Sequence, residues 1–322
     1  MSGFTGDGYK LADYGSMASD LVRVQAYADA MRRVITPESI VLEIGTGSGV
    51  FAMHACQLGA KRVYAIEVED AIESARTSAA ANGFADRIVF YHAASTQVTL
   101  PEHANVLISD LRGTLPLHNH HLETIADARA RLLQPDAIQL PQTDTIYFAP
   151  VSAPESYQER VEPWKKNPFG LNMDAGRSVT INAFSAHRVK PEEIVLPAQV
   201  WAEIDYRRET ALNYARMLTW TVDQPLTVDA LQGWFEAQVF EDIRYRTSPD
   251  QPALAYNTAY FPLAHPVTLQ AGETLSVFLR ADNAGGLYTW SWTTRITGAD
   301  QKERLSFQQS TFFANLGSGR AM

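Results

Sequence analysis

The sequence predicts an α/β fold: a parallel sheet layered with helices, followed by an antiparallel, barrel-like half. Three observations carry this. Short β-branched apolar runs alternate with helical patterns as far as Pro135. A glycine-rich turn joins the first of those runs to a helix. Near Leu140–Pro141 the pattern changes to alternating stretches broken by prolines and turn residues.

The elements follow in order. Ala18–Val34 carries a helical pattern and precedes the first strand as an N-terminal layer or lid. Ser39–Ile44 is a buried strand, Gly45–Gly49 a turn, and Val50–Leu58 a helix closed by Gly59. Arg62–Ile66 is a second strand, and Asp70–Asn82 a helix with Asp70 as N-cap and Gly83 as C-cap. Arg87–His92 and Val106–Ser109 are further strands, and His120–Leu133 a helix ended near Pro135. This alternation implies right-handed βαβ units. Beyond it, Ser178–Phe184, Met217–Val222, Thr274–Leu279 and Tyr288–Trp292 read as strands. Tyr288, Trp290 and Trp292 share one face of the last.

With 322 residues the chain suits two domains or one large one, and 46% hydrophobic against 20% charged residues excludes a disordered chain. The formal charge is −9, and neither half is basic. No nucleic-acid or membrane partner is therefore expected. The single cysteine, Cys56, excludes an intrachain disulfide and any Cys-only metal site. No apolar run is long enough to span a bilayer. The start, MSGFTGDGYKLADYGS, has neither a basic opening nor an apolar stretch, so a signal peptide is not expected and a cytoplasmic location is.

The strongest local signal is Val41-Leu42-Glu43-Ile44-Gly45-Thr46-Gly47-Ser48-Gly49. Glycines between strand and helix expose amide N–H groups to a ligand. The G-x-G-x-G spacing departs from the dinucleotide pattern G-x-G-x-x-G and suits a nucleoside with a short charged arm. Eighteen residues after Gly49 stands Glu67, a carboxylate that can accept hydrogen bonds from ribose hydroxyls. A tight turn with an exposed acid is the plainer alternative.

This arrangement resembles the class I S-adenosylmethionine-dependent methyltransferases, and VLEIGTGSGVFAMHACQLGAKRVYAIE is similar to the core of the protein arginine methyltransferases. Val106–Gly113 (VLISDLRG) resembles the place of that family's first catalytic carboxylate. Tyr157–Met173, Thr247–Pro252 and Val267–Leu279 resemble its barrel segments. The resemblance implies a Rossmann-like class I methyltransferase domain followed by an antiparallel β-barrel-like domain. The divisions are a helical segment at 1–36, an adenosylmethionine-binding domain at 37–143, and a substrate and dimerisation domain at 144–322. It implies S-adenosyl-L-methionine as methyl donor, S-adenosyl-L-homocysteine as product, and a homodimer joined by an arm at Asn172–Arg188.

Carried over by position, Glu43, Gly45, Thr46, Gly47 and Gly49 line the donor pocket, Glu67 and Val68 bind the ribose end, and Ser95 and Thr96 lie beside the adenine. Arg23 matches the arginine on the methionine carboxylate; its bland alternative is an exposed helix charge.

The acceptor side departs from the family. Its two glutamates become Asp110 and Asn119, and its Thr-His-Trp signature falls at Leu254-Ala255-Tyr256. Its N-terminal aromatic motif is reduced to Tyr9 and Tyr14. Asp110, Asn119 and His118 are the candidate catalytic residues, with Asp110 aligning a nucleophile and taking its proton. Capping the following turn is the structural alternative for Asp110. His118, His120 and His121 are too close in sequence to converge easily on a metal, and none is expected; a histidine base for a hydroxyl remains open. Cys56 reads as packing. The reading is methyl transfer to a nitrogen nucleophile on a non-standard small-molecule or peptide acceptor. A true protein arginine methyltransferase and a non-catalytic donor-binding protein are the alternatives.

Overall fold

The computed structural model describes residues 11–208 and 211–317. Tyr9 and the rest of residues 1–10 lie outside these. The helix expected over Ala18–Val34 is in fact two, α1 (Leu11–Ala18) and α2 (Leu21–Val34). Asp20 makes the break: its side chain caps α2 by accepting the Arg23 N–H at 3.2 Å and also accepts the Ala255 N–H at 2.7 Å. Along α2, Tyr27, Ala30, Met31 and Val34 recur every three or four residues and are buried.

Five parallel strands form the first sheet: β1 (Ile40–Ile44), β2 (Arg62–Glu67), β3 (Ile88–His92), β4 (Ala104–Ser109) and β5 (Leu133–Leu140). Their order is β3-β2-β1-β4-β5. Connecting helices are α3 (Val50–Gln57), α4 (Ala71–Ala81) and α5 (His121–Arg131). The chain leaves β1 toward β2, while β4 lies on the other side of β1. A crevice therefore opens beyond the carboxyl ends of β1 and β4, where ligands bind in such sheets.

Two local expectations fail here. Asp70 sits before α4 without a side-chain cap bond. α5 stops at Arg131, and the following residues enter β5, which the sequence reading missed because Pro135 signals a break. Pro135 is tolerated because β5 is an edge strand, and it falls where the register slips between Ala104↔Leu133 and Val106↔Ile138.

The second half contains β6 (Thr143–Val151), α6 (Pro154–Arg160), α7 (Asp174–Ile181), β7 (Ser185–Ala186), β8 (Gln199–Asp205), β9 (Tyr214–Thr221), β10 (Leu226–Phe240), β11 (Ile243–Arg246), β12 (Ala259–Leu269), β13 (Thr274–Ala284), β14 (Leu287–Thr297), β15 (Glu303–Ser310) and α8 (Thr311–Gly317). One antiparallel sheet runs β7-β12-β10-β6-β8 with β11 paired to β10, and the other β15-β14-β13-β9. Phe148, Trp201, Phe261, Trp290 and Trp292 from both sheets pack ring against ring between them. Trp290 and Trp292 are fully buried on the face the alternation assigns them.

The strand expected at Ser178–Phe184 is contradicted: its first residues are the last turn of α7. Thr180 Oγ1 donates to the Gly176 carbonyl at 3.0 Å and accepts from Trp164 Nε1 at 2.8 Å, while Gly176 lies directly against the Trp164 ring. That packing overrides the strand preference of Val179, Thr180 and Ile181.

Candidate functional site

The glycine turn leaves β1 with Gly45, Gly47 and Gly49 at φ of 77°, 52° and 80°, conformations that exclude most side chains. A Cβ at Gly45 would collide with Leu111, and one at Gly47 with the Tyr14 ring. The Gly47 N–H donates to Glu67 Oε2 at 2.8 Å; Glu67 Oε1 accepts the N–H groups of Val68 at 2.8 Å and Glu69 at 3.1 Å. Three of the roughly four acceptor positions of this carboxylate are thus used, leaving one for a hydroxyl.

Glu43 supports the turn from beneath. It is buried and accepts from Thr46 Oγ1 at 2.6 Å, so these two residues hold each other within the turn. Burial pushes the Glu43 carboxyl up to about 8, against the hydrogen bonds from Thr46 and the Ala52 backbone. Val68 follows Glu67 and is exposed. Ser95 is buried and Thr96 exposed on a one-turn 3₁₀ helix after β3, at the same end of the sheet as the glycine turn. The Ser95 carbonyl accepts from Arg131 at 3.0 Å.

Asp110 stands directly after β4, as its position in the sequence predicts, and its carboxylate is heavily engaged. Oδ2 accepts from Arg23 Nη1 at 2.5 Å, while Oδ1 accepts from Arg112 Nη1 at 2.7 Å and from the Tyr256 hydroxyl. Burial opposes ionisation here, yet Arg23 and Arg112 outweigh it and hold the carboxyl below its usual range. A proton accepted by Asp110 would weaken its pairing with both Arg23 and Arg112, which weighs against the expected role of taking one. Arg23 also donates to the Met17 carbonyl, and its Nε is buried without a hydrogen bond.

Sequence reasoning missed Arg112. Its side chain is wholly buried and forked onto Asp144 of β6, with Nε to Oδ2 at 2.5 Å and Nη2 to Oδ1 at 2.9 Å. Nη1 reaches the hydroxyls of Tyr27 at 2.9 Å and Tyr245 at 3.3 Å, and the guanidinium lies 5.4 Å from the Phe235 ring centre. The sequence shows an arginine three residues after an apolar strand and an aspartate inside another, Arg112 and Asp144, with no signal that they pair.

The three histidines separate, as their spacing suggests. His118 packs its ring against Gly113, is half-buried, and is held below its ordinary range by burial. Asn119 is exposed, sits at φ 43°, and places Nδ2 3.0 Å from His118 Nε2. His120 pairs with Glu123 at 2.6 Å, and buried His121 bonds the Pro116 carbonyl at 2.9 Å. No group of His, Cys, Asp and Glu arranged to hold a metal ion occurs among the described residues. Cys56 is buried, and burial pushes its thiol up to about 11.

These residues fit S-adenosylmethionine. The glycine turn ends β1 at the carboxyl edge of the sheet with Leu111 and Tyr14 packed on it, Glu67 ends β2 beside it with an acceptor direction left, and the buried Arg23 Nε makes no hydrogen bond, with Asp20 Oδ2 3.9 Å away.

Comparison with known proteins agrees with this architecture. Residues 26–115 match the family model "Ribosomal protein L11 methyltransferase (PrmA)", and residues 143–312, just over half the chain, match "PRMT5 oligomerisation domain". The chain is 29% identical over 298 residues to "Protein arginine N-methyltransferase PRMT10" of Oryza sativa subsp. japonica, covering 81% of this chain and 78% of that one. It is 32% identical over 161 residues to "Probable protein arginine N-methyltransferase 6" of Arabidopsis thaliana, a match covering 49% of this chain and 37% of that relative. Among solved structures, the "Trypanosoma brucei PRMT1 enzyme-prozyme heterotetrameric complex with AdoHcy" superposes with a TM-score of 0.84 at 21% identity, covering 94% of this chain and 98% of that one. The fold, the glycine turn and the match across the second half lead to one conclusion: the chain belongs to the protein arginine methyltransferase family of class I S-adenosylmethionine-dependent methyltransferases.

Proposed function

We propose that the chain transfers a methyl group from S-adenosylmethionine to a nitrogen nucleophile on an acceptor other than peptidyl arginine. One observation carries the departure from arginine: of the two positions where the family has glutamates only Asp110 is a carboxylate, and it is already paired with the chain's own arginines, while Asn119 turns its amide to His118. A cationic guanidinium needs charge compensation as well as hydrogen bonds.

In this reading the donor lies along the turn of Gly45, Gly47 and Gly49, next to the Leu111 and Tyr14 side chains packed on it. Glu67 takes a ribose hydroxyl, Arg23 offers Nε to the amino-acid carboxylate, and Ser95 and Thr96 flank the adenine. The bound donor supplies an electrophilic methyl group. The protein's work is then alignment and exclusion of water. Asp110 fixes Arg23 and the pocket wall. An ionised carboxylate below its usual range is a weak base, so a nitrogen with its own lone pair suits the site better than a hydroxyl. His118, held below its ordinary range by burial, is the candidate for the proton released after transfer.

The relatives' names favour a second reading, N-methylation of peptidyl arginine. Mass spectrometry of reactions with arginine-rich peptides, free arginine, anilines, imidazoles and phenols separates the two. A methylated uncharged amine or ring nitrogen supports the proposal. Methylated peptidyl arginine supports the second reading, and donor binding without any transfer supports a non-catalytic protein.

We divide the chain near residue 143, where parallel pairing gives way to antiparallel pairing, and assign the homodimer contact to the arm at Asn172–Arg188, which holds α7, together with the residues just before it. This segment exposes Phe169 fully and Leu171 by 59%. On the other half, Val24, Val50, Phe51, Met53 and Phe84 line an apolar groove between α2 and α3 that suits such side chains. No helix among the described residues is long and apolar enough to cross a membrane.

A further inference from the structure

We propose that Arg112 determines acceptor specificity: its guanidinium occupies the place against Asp110 that a cationic acceptor would take, and the site therefore admits uncharged nitrogen nucleophiles. This rests on the reading that the space beside Asp110 is the acceptor pocket.

Arg112 is not a mobile surface cation. Its side chain is wholly buried, and Asp144, Tyr27, Tyr245 and Asp110 hold its three nitrogens. It cannot step aside for a substrate without leaving the buried Asp144 carboxylate without its cation, held by the Tyr206 hydroxyl. Asp110 spends Oδ1 on Arg112 and Tyr256, and Oδ2 on Arg23, so one lone-pair direction remains. Asp20, Asp110 and Asp144 face Arg23 and Arg112, so what the cluster withholds from an acceptor is not countercharge but free oxygen directions on Asp110. A guanidinium gripped by Asp110 in a two-pronged way needs two such directions, and Arg112 holds one of them.

An uncharged amine or ring nitrogen meets no such barrier and can use the remaining lone pair of Asp110 for one N–H. In the transfer its lone pair forms the new N–C bond as the S–C bond breaks. The electron pair of that bond passes to sulfur, giving the thioether, and a proton on the methylated nitrogen leaves to His118 or water.

The test compares two peptides identical except that one carries arginine and the other citrulline, its uncharged isostere. Both are titrated into the protein loaded with adenosylhomocysteine. The wild type is expected to show no preference for arginine. Arg112→Met is expected to shift the arginine-over-citrulline affinity ratio by about tenfold or more toward arginine. Because loss of Arg112 strands Asp144, Arg112→Met with Asp144→Asn is measured alongside and is expected to shift the ratio the same way. A wild type that already prefers arginine tenfold overturns the proposal, as does either folded variant whose ratio does not move. Arginine binding gained by the variants where wild type binds neither peptide supports it; no binding by any of the three proteins overturns it. The adenosylhomocysteine titration that precedes each run reports on the donor-site reading separately.

Discussion

Arg112 and Asp144 join the two halves of the molecule: an arginine following β4 of the parallel sheet forks onto an aspartate of β6 in the antiparallel sheet, both side chains wholly buried. The pair also anchors Asp110 through Arg112 Nη1, so the bond between the sheets and the shape of the candidate site are one network. Removing one member of a buried pair leaves an uncompensated charge. Asp144→Ala is therefore expected to lower stability by about 3–5 kcal/mol, read as a drop in denaturant midpoint. Arg112→Met with Asp144→Asn is expected to lose clearly less than Asp144→Ala. Equal losses would mean that packing rather than charge pairing dominates there.

Glu43 gives the fold a pH dependence. Its carboxyl is pushed by burial from an ordinary value of 4.5 to about 8, so the folded chain keeps a proton that the unfolded chain releases. The resulting stability is fully present below the unfolded value and is lost as pH rises toward about 8. Glu43→Gln is expected to flatten the fall in denaturant midpoint across that window relative to wild type. Parallel curves for the two proteins would show that Glu43 is ionised in the folded chain.

The donor site has its own prediction. Glu67 is assigned both to the ribose and, through the Gly47 N–H, to the shape of the glycine turn. Glu67→Ala is expected to weaken adenosylhomocysteine binding by about 2–3 kcal/mol, as for a buried charge-assisted bond. Arg23→Ala is expected to weaken it as well, through the amino-acid end. Calorimetry with unchanged affinity in both variants would place the pocket elsewhere.

Much of this arrangement is legible in the sequence because it is local. The G-x-G-x-G turn, the strand before it and Glu67 are fixed by spacing alone, and they lie where that spacing puts them. Two kinds of feature were hidden. Local propensity misleads where tertiary packing decides, as at Ser178–Ile181, which is helical because Gly176 lies against Trp164. Long-range pairs carry no local pattern: nothing near Arg112 announces Asp144, and nothing near Asp110 announces the Tyr256 hydroxyl.

Assembly can be checked in solution. The account expects a dimer at micromolar concentration, with Phe169 and Leu171 buried between copies. Replacing both with aspartate is expected to shift sedimentation toward the monomer while leaving the circular dichroism spectrum unchanged. A wild-type monomer, or a double variant that stays dimeric, would remove this contact from the account.

The most direct test of the central claim is a competition for methyl transfer. Wild-type protein and labelled S-adenosylmethionine are mixed with an arginine-rich peptide and an imidazole or aniline acceptor in one reaction, and the products are resolved by mass spectrometry. The account predicts label on the uncharged nitrogen and little or none on arginine. Efficient transfer to peptidyl arginine in preference to the uncharged acceptor would contradict it.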